Sequence, residues 1–146
     1  MYNCQEVWNW KFLQTGRFGW CMYSVVLVAT GGALGSSLRY LITLSLKNSH
    51  IPWATALVNV SGSFIIGILS ALCVSRLHSS EEIIRPLLIV GFLGGFTTFS
   101  SFSMDSLRLL QSGQYLVTVA SILFNVLVGL FMAGCGYKLG SIWGGL

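Results

Sequence analysis

From Gly91 to Ser103 the chain reads G-F-L-G-G-F-T-T-F-S-S-F-S. Three glycines, two β-branched threonines and three serines would suit an aqueous loop, yet no charge interrupts them and apolar residues flank them on both sides. Each glycine in a helix interior costs about 1 kcal/mol relative to alanine. A span that carries such a segment, Gly94 to Thr98, near its centre is weakened where tolerance is lowest, because backbone groups freed in hydrocarbon must find partners. The spacing therefore predicts a membrane helix broken near its midpoint.

The composition around this segment makes lipid the solvent. Of the 146 residues, 54% are hydrophobic and 8% charged, against roughly a quarter charged in a soluble domain. The acidic residues are Glu6, Glu81, Glu82 and Asp105. A crossing needs about 20 apolar residues, and the sequence fits an all-α integral membrane protein of four transmembrane helices. The predicted spans are about 22–46, 53–74, 86–110 and 115–139, together forming a four-helix domain over 22–139. Pro52 and Pro86 suit first turns, where a missing N–H costs nothing. Residues 1–21, rich in Trp and Phe, are read as an interfacial N-terminal extension, residues 75–85 as a polar loop and residues 140–146 as a C-terminal tail.

Small residues recur at four-residue spacing, Gly31 with Gly35, Ser63 with Gly67, Gly91 with Gly95 and Gly129 with Ala133, which lets helix backbones touch in lipid. Four short helices bury little, so a homo-oligomer is expected. Cys4, Cys21, Cys73 and Cys135 are far apart and read as small packing residues. His50 and His78 fall in loops. The net charge of +4 is thinly spread and suits anionic headgroups rather than nucleic acid. Lys11, Arg17, Arg76, Arg85 and Lys138 lie on the side of the termini, Lys47 and Arg108 on the other. This bias places both termini in the cytoplasm, but it is modest enough to permit insertion both ways up.

The broken segment has two readings. A broken helix at mid-depth presents carbonyl oxygens that can hold a cation; alternatively the glycines serve close packing and the hydroxyls bond back to the preceding turn. Phe99 and Phe102 share one helix face, either as ordinary apolar residues or with their electropositive edges aimed into a pore. Asn59 in the second span and Asn125 in the fourth, with Ser121 one turn earlier, are either interhelical glue or donors to an anion. Arg39 is the ionisable residue deepest in a span, and Asp105 lies towards a span end. Anion passage is easier to defend than proton-coupled cation export, which needs a membrane carboxylate. A small multidrug exporter would need one in the first span, and a non-transporting accessory subunit would leave these features unrelated. No catalytic or phosphate-binding motif points to an enzyme.

At these residues the sequence resembles the CrcB/Fluc fluoride channel family. The match rests on G-G-A-L-G-S-S-L-R-Y at Gly31 to Tyr40, N-V-S-G-S-F-I-I-G at Asn59 to Gly67, and the segment from Gly91 to Ser103. It covers roughly residues 24–140. The resemblance implies a passive fluoride-specific channel in the cell membrane that exports cytoplasmic fluoride and protects against its toxicity. It implies an antiparallel dual-topology homodimer with a structural sodium ion at its interface; the residual charge bias leaves a paralogous partner subunit as the alternative pairing. Carried over by motif, Gly94 and Thr97 would offer carbonyls to sodium. Asn59, Phe99, Ser101, Phe102, Ser121 and Asn125 would line the fluoride path, and Arg39 would be structural. Ser36 and Ser37 stand where alanine is common in the family, and Ser101 where threonine is.

Overall fold

The computed structural model describes residues 17–46, 52–75 and 81–145, with side chains from Met22 onward. The expected interfacial extension lies outside the described residues up to position 16, as do the loop residues 47–51 and 76–80. All described elements are helical: α1 (Arg17–Ser45), α2 (Trp53–Ser75), α3 (residues 81–96), α4 (Phe99–Gln111) and α5 (Tyr115–Gly144). Four stretches are long and apolar enough to cross a membrane, Met22–Ser45, Trp53–Ser75, Glu81–Gln111 and Tyr115–Gly144. At 1.5 Å per residue the shortest spans about 35 Å, enough for the hydrocarbon core.

Three boundaries differ from the sequence reading. Helix α1 starts at Arg17, five residues before the expected position 22. The third span begins at Glu81, not at Pro86: Glu81 and Glu82 occupy its first turn, where negative charge complements the helix dipole, and Arg85 pairs with Glu81 at 2.7 Å. Pro86 instead opens a π-helical stretch, Arg85–Leu93. It supplies no N–H to the carbonyl of Glu82, and the turn widens there. At the other end, α5 continues to Gly144 through most of the expected tail, stopping where Gly145 turns left-handed at φ 77°; glycine adopts that conformation without a Cβ penalty.

The helices pack as two parallel pairs. In the first, α1 lies on α3, and a Cβ at Gly31 or Gly35 would overlap the carbonyls of Leu87 and Phe92. Gly91 and Gly95 return the contact against Val28 and Gly32. In the second, α2 lies on α5, with Gly67 against Ala133, Gly136 against Phe64 and Gly140 against Ile68. The expected repeats are thus packing positions in the first pair. In the second pair the expected positions also meet, Gly67 with Ala133 and Gly129 with Ser63, and Gly136 and Gly140 extend the close approach along α5. Where the pairs meet, Val58 of α2 joins Leu93 and Phe96 of α3 in the buried cluster. Outward faces remain apolar and exposed, as at Leu34, Val90, Leu116 and Leu130; such faces are solvated by lipid or by other subunits. Cys73 is buried and Cys135 half-buried, both as free thiols.

Backbone contact of this kind predicts a sharp contrast between glycines of one helix. Gly136→Val should destabilise the protein by at least about 1–3 kcal/mol through overpacking, and Gly134→Ala, whose new Cβ meets nothing within 4 Å, should be near neutral. Thermal unfolding in detergent, read by size-exclusion chromatography of the heated protein, checks both.

Candidate functional site

Between α3 and α4 the third span is not helical. Thr97 has φ −76° and ψ 155°, and Thr98 has φ −151° and ψ 115°. Two extended residues stop the i to i+4 ladder. The Thr97 amide still reaches the Leu93 carbonyl at 2.9 Å, joined there by the Thr97 hydroxyl at 2.8 Å. The next amide leaves the ladder: Thr98 N–H donates to Asn59 Oδ1 at 2.9 Å. The same carboxamide donates through Nδ2 to the Thr98 carbonyl at 3.2 Å. Asn59 therefore pairs with one extended residue as a neighbouring peptide group would, on both its donor and its acceptor.

Thr98 also caps the helix that follows. Its Oγ1 accepts from the Ser101 amide at 3.1 Å and donates to Ser101 Oγ at 3.1 Å, with Ser100 Oγ 3.2 Å away. This is an N-cap, with the side-chain oxygen satisfying an orphan amide of the first turn. The diverted amides have a consequence on the other side of the break. Gly94 and Thr97 lose the donors, Thr98 and Ser101, that a continuous helix would have given their carbonyls. Gly95 is compensated from another helix, because Arg39 Nε donates to its carbonyl at 3.1 Å.

The structure brings together most of the residues singled out in the sequence. Gly94 and Thr97 flank the end of α3, and Gly94 faces open space. Phe99 and Phe102 lie in the first turn of α4 with ring centroids 5.6 Å apart at 56°, and Phe99 is 78% exposed. Asn125 joins the cluster because Asn59 Nδ2 also donates to its Oδ1, at 3.3 Å; Asn125 in turn donates to the Ser121 carbonyl at 3.1 Å. Asn125 sits on a second π-helical stretch, Phe124–Val128, a local widening frequent at functional sites. Both amide hydrogens of Asn59 are thus directed to protein acceptors. Of Asn59, Ser101, Ser121 and Asn125, the hydrogens not directed to a protein acceptor are those of the Ser101 and Ser121 hydroxyls and the second amide hydrogen of Asn125.

Two features escaped sequence reasoning. Thr98 is 9% exposed and organises the whole break, and a hydroxyl residue just ahead of a new helical run was the available signal. The second is a cavity of about 350 Å³ beside the break, with Arg39, Thr55, Thr98, Ser101, Asp105 and Arg108 on its wall. Asp105 accepts from Thr55 Oγ1 at 2.7 Å, and Arg108 is 3.9 Å from it. Asp105 lies six residues, about 9 Å, from the end of α4 and is held by Thr55 in the first turn of α2, so it lies towards a span end as the sequence indicates.

Sequence comparison with known proteins finds relatives along most of the chain. Residues 26–137 match the model of the family described as CrcB-like protein, Camphor Resistance (CrcB). A fluoride-specific ion channel FluC of Agrobacterium fabrum (strain C58) is 43% identical over 122 residues, 82% of this chain and 97% of that protein. Its namesake from Rhizobium leguminosarum bv. trifolii is 48% identical over 116 residues, covering 77% and 90%. A third, from Hahella chejuensis, is 44% identical over 118 residues, covering 79% and 92%. With four membrane-crossing stretches and this match over most of its length, the chain belongs to the CrcB family of multi-pass membrane proteins.

Proposed function

We propose that the chain is a subunit of a passive, fluoride-selective channel of the cell membrane, a transporter and not an enzyme. The observation that carries the reading is the break at Thr97 and Thr98, which splits the third span into a carbonyl-ended half and an amide-ended half. The names of the relatives supply the ion. Fluoride enters cells as neutral HF and ionises in the cytoplasm. A membrane potential moves one charge with about 2.3 kcal/mol per 100 mV, so an open anion path suffices for export without a coupling reaction.

Along that path the donors are those left free by the fold. The hydroxyls of Ser101 and Ser121 and the free amide hydrogen of Asn125 replace water around the ion. The electropositive edges of Phe99 and Phe102 add contacts that a larger, softer anion would fit less well. Asn59 serves the path by holding its wall.

The working unit in this proposal is an antiparallel homodimer. Gly94 and Phe99 lie on an uncovered face of the single chain, and an inverted copy gives that face a neighbour. Sodium at the interface would be held by the carbonyl oxygens of Gly94 and Thr97. They fit as hard, uncharged donors at a helix C-terminus, where partial negative charge accumulates. Bound there, the cation supplies positive charge that offsets the cost of the break.

Purified protein in liposomes, with potassium and valinomycin carrying the compensating charge, should release fluoride rapidly to a fluoride electrode and retain chloride. A folded dimer without fluoride release would overturn the channel reading. Phe99→Ile should reduce efflux about tenfold or more, the rate equivalent of ~1.4 kcal/mol, with the dimer still assembled on size exclusion; unchanged efflux would remove the aromatic edges from the path. Prolonged replacement of sodium by N-methylglucamine should impair efflux, and indifference to that exchange would count against the interfacial cation.

A further inference from the structure

The stripe of α1 that touches α3 is spaced by four residues, and it does not stop at the glycines. Gly31 lies against Leu87 and Phe92, Gly35 against Phe92 and Phe96, and the next position on that face is Arg39, whose Nε meets the Gly95 carbonyl. For two turns the stripe has no side chain and the backbones touch. At the third turn α3 ends, and the stripe presents a guanidinium to its carbonyl terminus. That terminus carries roughly half a negative elementary charge.

Arg39 has no carboxylate partner among the described residues; its nearest acceptor is this backbone oxygen. Hydrogen bonds from charged groups are among the stronger contributions to local structure. Gly95, having no side chain, lets Gly32 approach and leaves its carbonyl open to Arg39. Of the carbonyls that the break releases, one is therefore taken by α1, and those of Gly94 and Thr97 stay available.

We propose that Arg39 is the positioning residue of the break: by taking the Gly95 carbonyl, its guanidinium Nε holds the end of α3 against α1 and fixes the backbone from which the ion sites are built. Arg39 holds the approach to the break, at the end of α3, from α1, and Asn59 holds its far side, at Thr98, from α2. As a role in conduction this rests on the channel reading above, but as a property of the backbone it is measurable without ion flow.

Hydrogen–deuterium exchange of the purified full-length protein, followed on peptides covering residues 94–101, tests it. Arg39→Met should speed exchange of the Thr98 and Ser101 amides about tenfold, as expected for loss of a charged hydrogen bond, with α2 and α5 exchanging as in the wild type. Fluoride efflux should fall in parallel. Unchanged exchange at the break, or acceleration spread evenly over all helices, would overturn the assignment. Should the Met variant fail to fold, Arg39→Lys, which keeps the charge and stem but not the planar fork, is measured against the same two outcomes. A loosened break in a protein whose wild type passes no fluoride would sink the channel reading and leave the role of Arg39 standing. Wild-type flux with an unaltered break would do the reverse.

Discussion

One side chain answering one peptide unit holds the rest of the arrangement in place. Opening a helix inside the bilayer exposes backbone donors and acceptors where water cannot reach them, at several kcal/mol each. Asn59 meets Thr98 on both its N–H and its C=O, at 2.9 and 3.2 Å. A carboxamide is the side chain that most resembles a peptide group, carrying donor and acceptor on one planar unit. A serine carries its donor and acceptor on one oxygen and cannot lie in line with both groups as a two-atom carboxamide does, and a charged residue would bring a desolvation cost of its own.

The clasp works because the helices that carry it are rigidly placed. Asn59 belongs to α2, which is held by α5, and the break belongs to the span held by α1. The seam between the two pairs is therefore where the break lies, and it is also where Val58, Leu93 and Phe96 form the buried cluster. Asn125 extends the same hydrogen-bonded line into α5. Polar groups from three helices converge at one depth, and each satisfies another, as buried polar networks require.

Much of this was legible in the sequence, for reasons that are themselves physical. Glycines at four-residue spacing in an apolar span have few uses other than close approach, so Gly31, Gly35, Gly91 and Gly95 were readable as contacts. The Thr97–Thr98 step was readable as a weak point because three glycines and two β-branched residues gather there. The partners were less legible. That Asn59 points both amide hydrogens at protein acceptors, and that Arg39 ends on the Gly95 carbonyl, depends on helix rotation and relative depth, which period and composition do not specify. The widened turn at Phe124–Val128 has no proline or glycine to announce it. Pro86 is a common helix opener and glutamates suit aqueous loops, so composition alone puts the start of the third span at Pro86, whereas the structure puts Glu81 and Glu82 in its first turn.

The pairing of α1 with α3 and of α2 with α5 also bears on how the protein is made. Neither pair joins neighbours in the chain. A span emerging during synthesis thus finds no tight partner in the one just before it. Helix α1 must wait for the third span, and α2 must wait for α5, the last to be completed. Until then the glycine stripe of α1 and Gly67 of α2 face lipid, which fills a groove poorly. The fold is completed only when the final helix has entered the membrane, and the nascent chain is most vulnerable to mispairing and to quality-control proteases just before that moment.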